Sequence, residues 1–119
     1  MKGSLRRFLI FWFPVIAYCV IIFAVSSMPH PLPETKIPQL DKLLHAVEYG
    51  GLCFLLIRAI RGSEFRMARD KVVIAAVIFA SLYGASDEIH QIFVPGRTPS
   101  FLDLFFDFMG ALAVGLLKR

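Results

Sequence analysis

Four apolar runs, each about as long as a bilayer's hydrocarbon core is thick, constrain this chain more than any other feature. They cover about residues 8–27, 40–60, 72–92 and 101–117. At 1.5 Å per residue, helices of these lengths reach roughly 25–32 Å, against a hydrocarbon core of about 30 Å. Composition agrees with that reading. Of 119 residues, 57% are hydrophobic, twelve are Phe and only 18% are charged. The mean hydropathy is +0.68. A chain this small and this apolar cannot cover itself with a water-facing surface. The expectation is one all-α domain over residues 1–119, a four-transmembrane-helix bundle.

The first run follows Lys2, Arg6 and Arg7 and is longer and more aromatic than the core of a secretory signal. It therefore reads as a span, with Pro14 as a kink point and Trp12 as an interfacial aromatic. The stretch Met28–Glu34 and Pro38 is too rich in proline to continue a helix. A second turn, Pro95–Ser100, separates the third and fourth runs. Cys19 and Cys53 sit inside apolar runs, form no CxxC and read as small packing residues. Gly50, Gly51, Gly110 and Gly115, with Ala111 and Ala113, suggest close helix contacts.

Basic residues set the expected orientation. Ten of the thirteen Lys and Arg fall at the two termini and between runs two and three; only Lys36, Lys42 and Arg97 fall on the other side. By the positive-inside rule both termini are expected in the cytoplasm. The bases bracket apolar runs rather than line one open face, which argues against nucleic acid despite the net charge of +4.

The acids show the opposite asymmetry. Glu34, Asp41, Glu48, Asp87, Glu88, Asp103 and Asp107 lie in the outer half, and only Glu64 and Asp70 in the inner half. An ionised side chain in the middle of a span costs about 2.5–3.5 kcal/mol, so these residues must turn away from lipid. Asp41, His45 and Glu48 share one helical face at i, i+4 and i+7. Asp87, His90 and Gln91 share another, and Asp103 and Asp107 a third. Three helices with polar faces at one level are expected to enclose a polar cavity open to the outer leaflet. Its candidate lining is Asp41, Lys42, His45, Glu48, Asp87, Glu88, His90, Gln91, Arg97, Asp103 and Asp107.

Several chemistries suit that set. His45 and His90 with the carboxylates are adequate ligands for a divalent metal, although the sequence contains no HExxH. Paired carboxylates suit acid–base catalysis, but no residue stands out as a nucleophile. Ser100 and Asp103 read as a capping box for the fourth helix. Arg97 and Lys42 suit a phosphate head group. The same residues also suit ion pairs that only fix helix packing.

Three stretches, Asp41-Lys42-Leu43-Leu44-His45, Ser86 through Gln91 to Pro95-Gly96-Arg97, and Ser100-Phe101-Leu102-Asp103 through Asp107 to Gly110, resemble the VanZ-like family of bacterial membrane proteins. The resemblance extends over about residues 8–117. The family pattern usually has Asn where this chain has Asp107. Asp41, His45, Asp87, Glu88, Gln91, Arg97 and Asp103 match motif positions. The resemblance implies a multi-pass protein of the bacterial cell membrane and, through the family's namesake, a link to resistance to the glycopeptide teicoplanin. It implies no agreed reaction. Three roles remain open: binding an amphiphile such as a lipid-linked envelope intermediate or a lipoglycopeptide, metal-assisted catalysis on a lipid head group, or service as a structural or accessory membrane subunit.

Overall fold

A computed structural model describes residues 2–27, 40–63, 67–95 and 101–118. They form five α-helices: α1 (Lys2–Phe11), α2 (Phe13–Ser26), α3 (Leu40–Gly62), α4 (Arg69–Ile92) and α5 (Phe101–Lys118). No strand occurs among the described residues.

The first apolar run is a single span in two pieces. Trp12 separates α1 from α2, but the hydrogen-bond ladder passes through it, from Trp12 N to Phe8 O (2.8 Å) and from Ile16 N to Trp12 O (3.1 Å). Pro14, the expected kink point, lies in the first turn of α2 and leaves one carbonyl to be satisfied. Proline has no N–H, so the carbonyl of Ile10, one turn earlier, loses its helical donor. Arg58 of α3 replaces it, donating from Nη1 to Ile10 O at 2.8 Å. Its guanidinium also lies 4.9 Å from the centre of the Phe11 ring. Arg58→Ala is expected to cost about 1.5–3 kcal/mol, the range for a hydrogen bond to a charged group. In a Pro14→Ala background, where residue 14 can donate to Ile10, most of that cost should vanish. A double-mutant cycle of detergent unfolding measures the difference, and equal losses in both backgrounds would exclude the link.

Three helices are long and apolar enough to cross a membrane: Gly3–Ser26, Leu43–Gly62 and Arg69–Ile92. The first begins earlier than expected because its basic first turns stay helical beyond the apolar run. The 18 residues of α5 carry Asp103, Asp107 and Lys118, and this helix is not among the three.

Side-chain pairs give the helix directions. His45 meets Asp107 near the start of α3 and of α5, and Arg61 donates to Lys118 O near the end of both. Thus α3 and α5 run parallel. Tyr83 of α4 donates to Cys19 O, and Gln91 to Ser26 Oγ, so α2 and α4 are parallel to each other. Gly84 faces Asp107 while Val73 and Val77 face Gly115, which makes α4 antiparallel to α5. With α1 and α2 counted as one span, helical segments consecutive in sequence are therefore antiparallel.

The closest approach is between α3 and α5. A Cβ on Gly110 would lie 2.6 Å from the carbonyl carbon of Ala46, and closer still to its oxygen. Opposite it, a Cβ on Gly50 would lie 3.2 Å from Gly110 O. Bare Cα atoms let the two backbones touch. Of the small residues expected at this surface, Ala111 is buried, but Ala113 is exposed and takes no part. Cys53 is fully buried and both cysteines are free thiols, in keeping with packing roles.

The distribution of polarity is inverted relative to a water-soluble bundle. Phe101, Phe93 and Leu82 are 92%, 78% and 65% exposed, whereas Asp87, Glu88, Gln91, Asp103 and Asp107 are buried. Lipid is the surroundings in which that arrangement is stable.

Candidate functional site

The buried polar side chains gather where the N-terminal ends of α3 and α5 meet the C-terminal end of α4. Local helix geometry explains the convergence. Asp103 and Asp107 are one turn apart on α5, and Asp103 lies in its first turn, where the helix dipole favours a carboxylate. Gly84 and Glu88 are one turn apart on α4, and His45 and Tyr49 one turn apart on α3.

Asp107 is the most deeply placed of these groups, with no exposed surface. Its Oδ1 shares a 2.8 Å hydrogen bond with His45 Nδ1. The other ring nitrogen, Nε2, lies 3.8 Å from Asp103 Oδ2. The imidazole of His45 is therefore held between two carboxylates of one helix. Asp107 Oδ2 is buried and has no hydrogen-bond partner among the described residues. It faces Gly84, where a Cβ would come within 2.8 Å of it. Glu88 completes the group: ligand atoms of His45, Glu88 and Asp107 lie within 4.8 Å of one another.

Asp87 takes a different partner. Tyr49, fully buried, donates its hydroxyl to Asp87 Oδ2 at 3.2 Å. The Tyr49 ring is nearly parallel to His45, with centroids 6.4 Å apart, and is tilted against Tyr83 at the same separation.

His90 and Gln91 leave the carboxylate centre and clasp α2. His90 Nε2 shares a 2.9 Å hydrogen bond with Ser27 Oγ, and its ring stacks on Phe23 at 4.5 Å. Gln91 Nε2 donates to Ser26 Oγ at 3.1 Å. The first span, which supplies none of the expected lining residues, thus contributes two hydroxyls to the polar layer. Glu48 is half-buried, and its backbone carbonyl accepts from Tyr18 Oη at 2.6 Å. The side chains of Asp41 and Lys42 lie outside the described residues, as do Arg97 and the Ser100 of the expected capping box.

Sequence reading missed Tyr49, Ser26 and Ser27. Tyr49 had a signal, since it lies at i+4 from His45. The two serines had none, because they close an apolar run like any polar end residue.

Below the polar layer lies an apolar groove of about 690 Å³ between α2, α3 and α4. Val15, Cys19, Leu56, Ala75 and Phe79 line it, and its upper end reaches Phe23 and Tyr83. Those two rings touch His90 and Tyr49 respectively, so the groove ends at the polar side chains.

Residues 7–118 match the model of the VanZ/LLP1 family, nearly the entire chain. The chain belongs to the VanZ/LLP1 family. No curated protein sequence and no solved structure matches it. The order of acids and histidine quoted above is therefore set in a VanZ/LLP1 domain. Of its motif positions that the structure describes, His45, Glu88 and Asp103 stand around Asp107, where the family pattern usually has Asn. Asp87 joins Tyr49 nearby, and Gln91 braces α2.

Proposed function

We propose that this VanZ/LLP1 protein binds an amphiphile of the bacterial envelope, with its head group at the polar layer and its hydrocarbon chain in the groove. The observation that carries the reading is continuity: an apolar groove of about 690 Å³ ends at Phe23 and Tyr83, which contact the polar layer. That volume is in the range of small-molecule sites, roughly 300–1,000 Å³. In this reading α5 is the fourth span, both termini are cytoplasmic, and the polar layer faces outward in the cell membrane. Lipid-linked envelope intermediates and lipoglycopeptides both present a chain and a polar head at that level. Holding either would alter how a glycopeptide meets the envelope.

Native mass spectrometry of the detergent-purified protein tests it. The wild type is expected to retain an amphiphile, and Ala75→Phe, which fills the half-open groove, to lose it. An amphiphile retained equally by both would remove the groove from the reading, and a bare wild-type chain would overturn the reading itself.

One observation favours a second reading, an enzyme acting on the bound head group. His45 is fixed by Asp107 with a second carboxylate beside it, an arrangement suited to a general base.

A further inference from the structure

Asp107 has one oxygen too many for its surroundings. Its Oδ1 is used by His45, and Oδ2 is buried without a hydrogen-bond partner among the described residues. A buried acceptor left in that condition is unfavourable, and more so when it carries charge. The place it faces is defined. Oδ2 looks at the bare Cα of Gly84, where a Cβ would stand 2.8 Å away. Glu88 projects from the same face of α4, one turn further on. The orphaned oxygen is thus aimed at the surface that carries the next carboxylate.

Distances around this point come near those of a coordination shell. Ligand atoms of His45, Glu88 and Asp107 lie within 4.8 Å of one another. Around a tetrahedral ion bound at about 2.1 Å, ligand atoms stand about 3.4 Å apart. Side-chain rotations that move these atoms on the order of 1 Å close that gap. Nδ1 of His45 and Oδ1 of Asp107, 2.8 Å apart, need only open slightly to admit an ion between them. With Nδ1 turned to an ion, Nε2 carries the ring proton and faces Asp103 Oδ2 at 3.8 Å. A carboxylate behind the far nitrogen is how metal-bound histidines are held in orientation.

We propose that His45, Glu88 and Asp107 bind one divalent cation between α3, α4 and α5, with Asp103 orienting the imidazole. One imidazole nitrogen with carboxylate oxygens suits a first-row ion such as zinc better than calcium, which takes oxygen ligands alone. This inference goes beyond the amphiphile reading and needs neither the groove nor a lipid.

Isothermal titration of chelator-stripped, detergent-purified protein with Zn²⁺, checked by elemental analysis, tests it. The expected result is one ion per chain. Glu88→Gln and Asp107→Asn, which keep side-chain size, should each weaken binding at least about tenfold. His90→Ala, whose imidazole serves Ser27, should bind Zn²⁺ as the wild type does. So should Ala75→Phe, which separates failure of the cation site from failure of the groove. Helical circular dichroism and gel-filtration profiles establish that each variant is folded; if Asp107→Asn is not, Glu88→Gln decides. A folded wild type without stoichiometric Zn²⁺, or undiminished binding by folded Glu88→Gln, would overturn the proposal.

Discussion

Gly110→Ala will destabilise the bundle by about 3 kcal/mol or more, the upper end of what overpacking usually costs. The added methyl would meet the backbone of Ala46, with the carbonyl carbon at 2.6 Å and the oxygen closer. A flexible side chain could rotate away; a helix backbone cannot. Relief requires α3 and α5 to separate along their whole interface, which also pulls His45 from Asp107. Gly50→Ala is the internal control. Its nearest neighbour would be Val114 Cγ2 at 3.0 Å, the end of a side chain. The milder variant should lose clearly less stability in SDS-driven unfolding. Equal, small losses for the two would mean that the helices do not touch here as described.

His45→Ala is expected to cost about 3–5 kcal/mol, the range for removing one partner of a buried pair. The reason is what stays behind. Asp107 has no exposed surface, and His45 is the hydrogen-bond partner of its Oδ1. Removing the imidazole leaves Oδ1, like Oδ2, without a hydrogen-bond partner among the described residues. The double variant His45→Leu with Asp107→Leu should recover most of the stability, because apolar replacement of both partners removes the desolvation penalty. Unfolding of the single and double variants, compared in one detergent, gives the answer. A double variant no better than His45→Ala would show that the pair is not isolated as an energetic unit. A stable double variant would also be the tool for asking what the site does once folding is secured.

The helices themselves were legible, because apolar runs bounded by proline and charge leave few alternatives. The polar faces were legible too, since His45, Asp103 and Asp107 follow from a helical repeat and from the cost of charge in lipid. Tyr49 was harder. A tyrosine in an apolar run reads as a packing residue, and only its partner Asp87, 38 residues away, reveals the hydroxyl's use. The pairing of α3 with α5 was not legible at all. His45 and Asp107 are 62 residues apart, and periodicity says which face a residue occupies, not which helix it meets. The division of Asp87, His90 and Gln91 between two neighbours had the same cause. One face of α4 is wide enough to serve α3 and α2 at once.

Parallel pairing of α3 with α5 has a consequence for biogenesis. In the proposed four-span arrangement, α5 is the least willing helix to enter lipid, since a centrally placed Asp costs about 2.5–3.5 kcal/mol on translocon scales. It is also made after α3 and α4 have emerged. His45, Tyr49 and Glu88 are then already in the membrane, waiting with donors and ligand atoms that α5 completes. The price of carrying Asp103 and Asp107 into the bilayer falls when α5 enters alongside α3 rather than alone. Insertion of α5 and assembly of the polar centre become one event, so a chain that has failed to form the centre is also a chain whose α5 is left at the membrane surface.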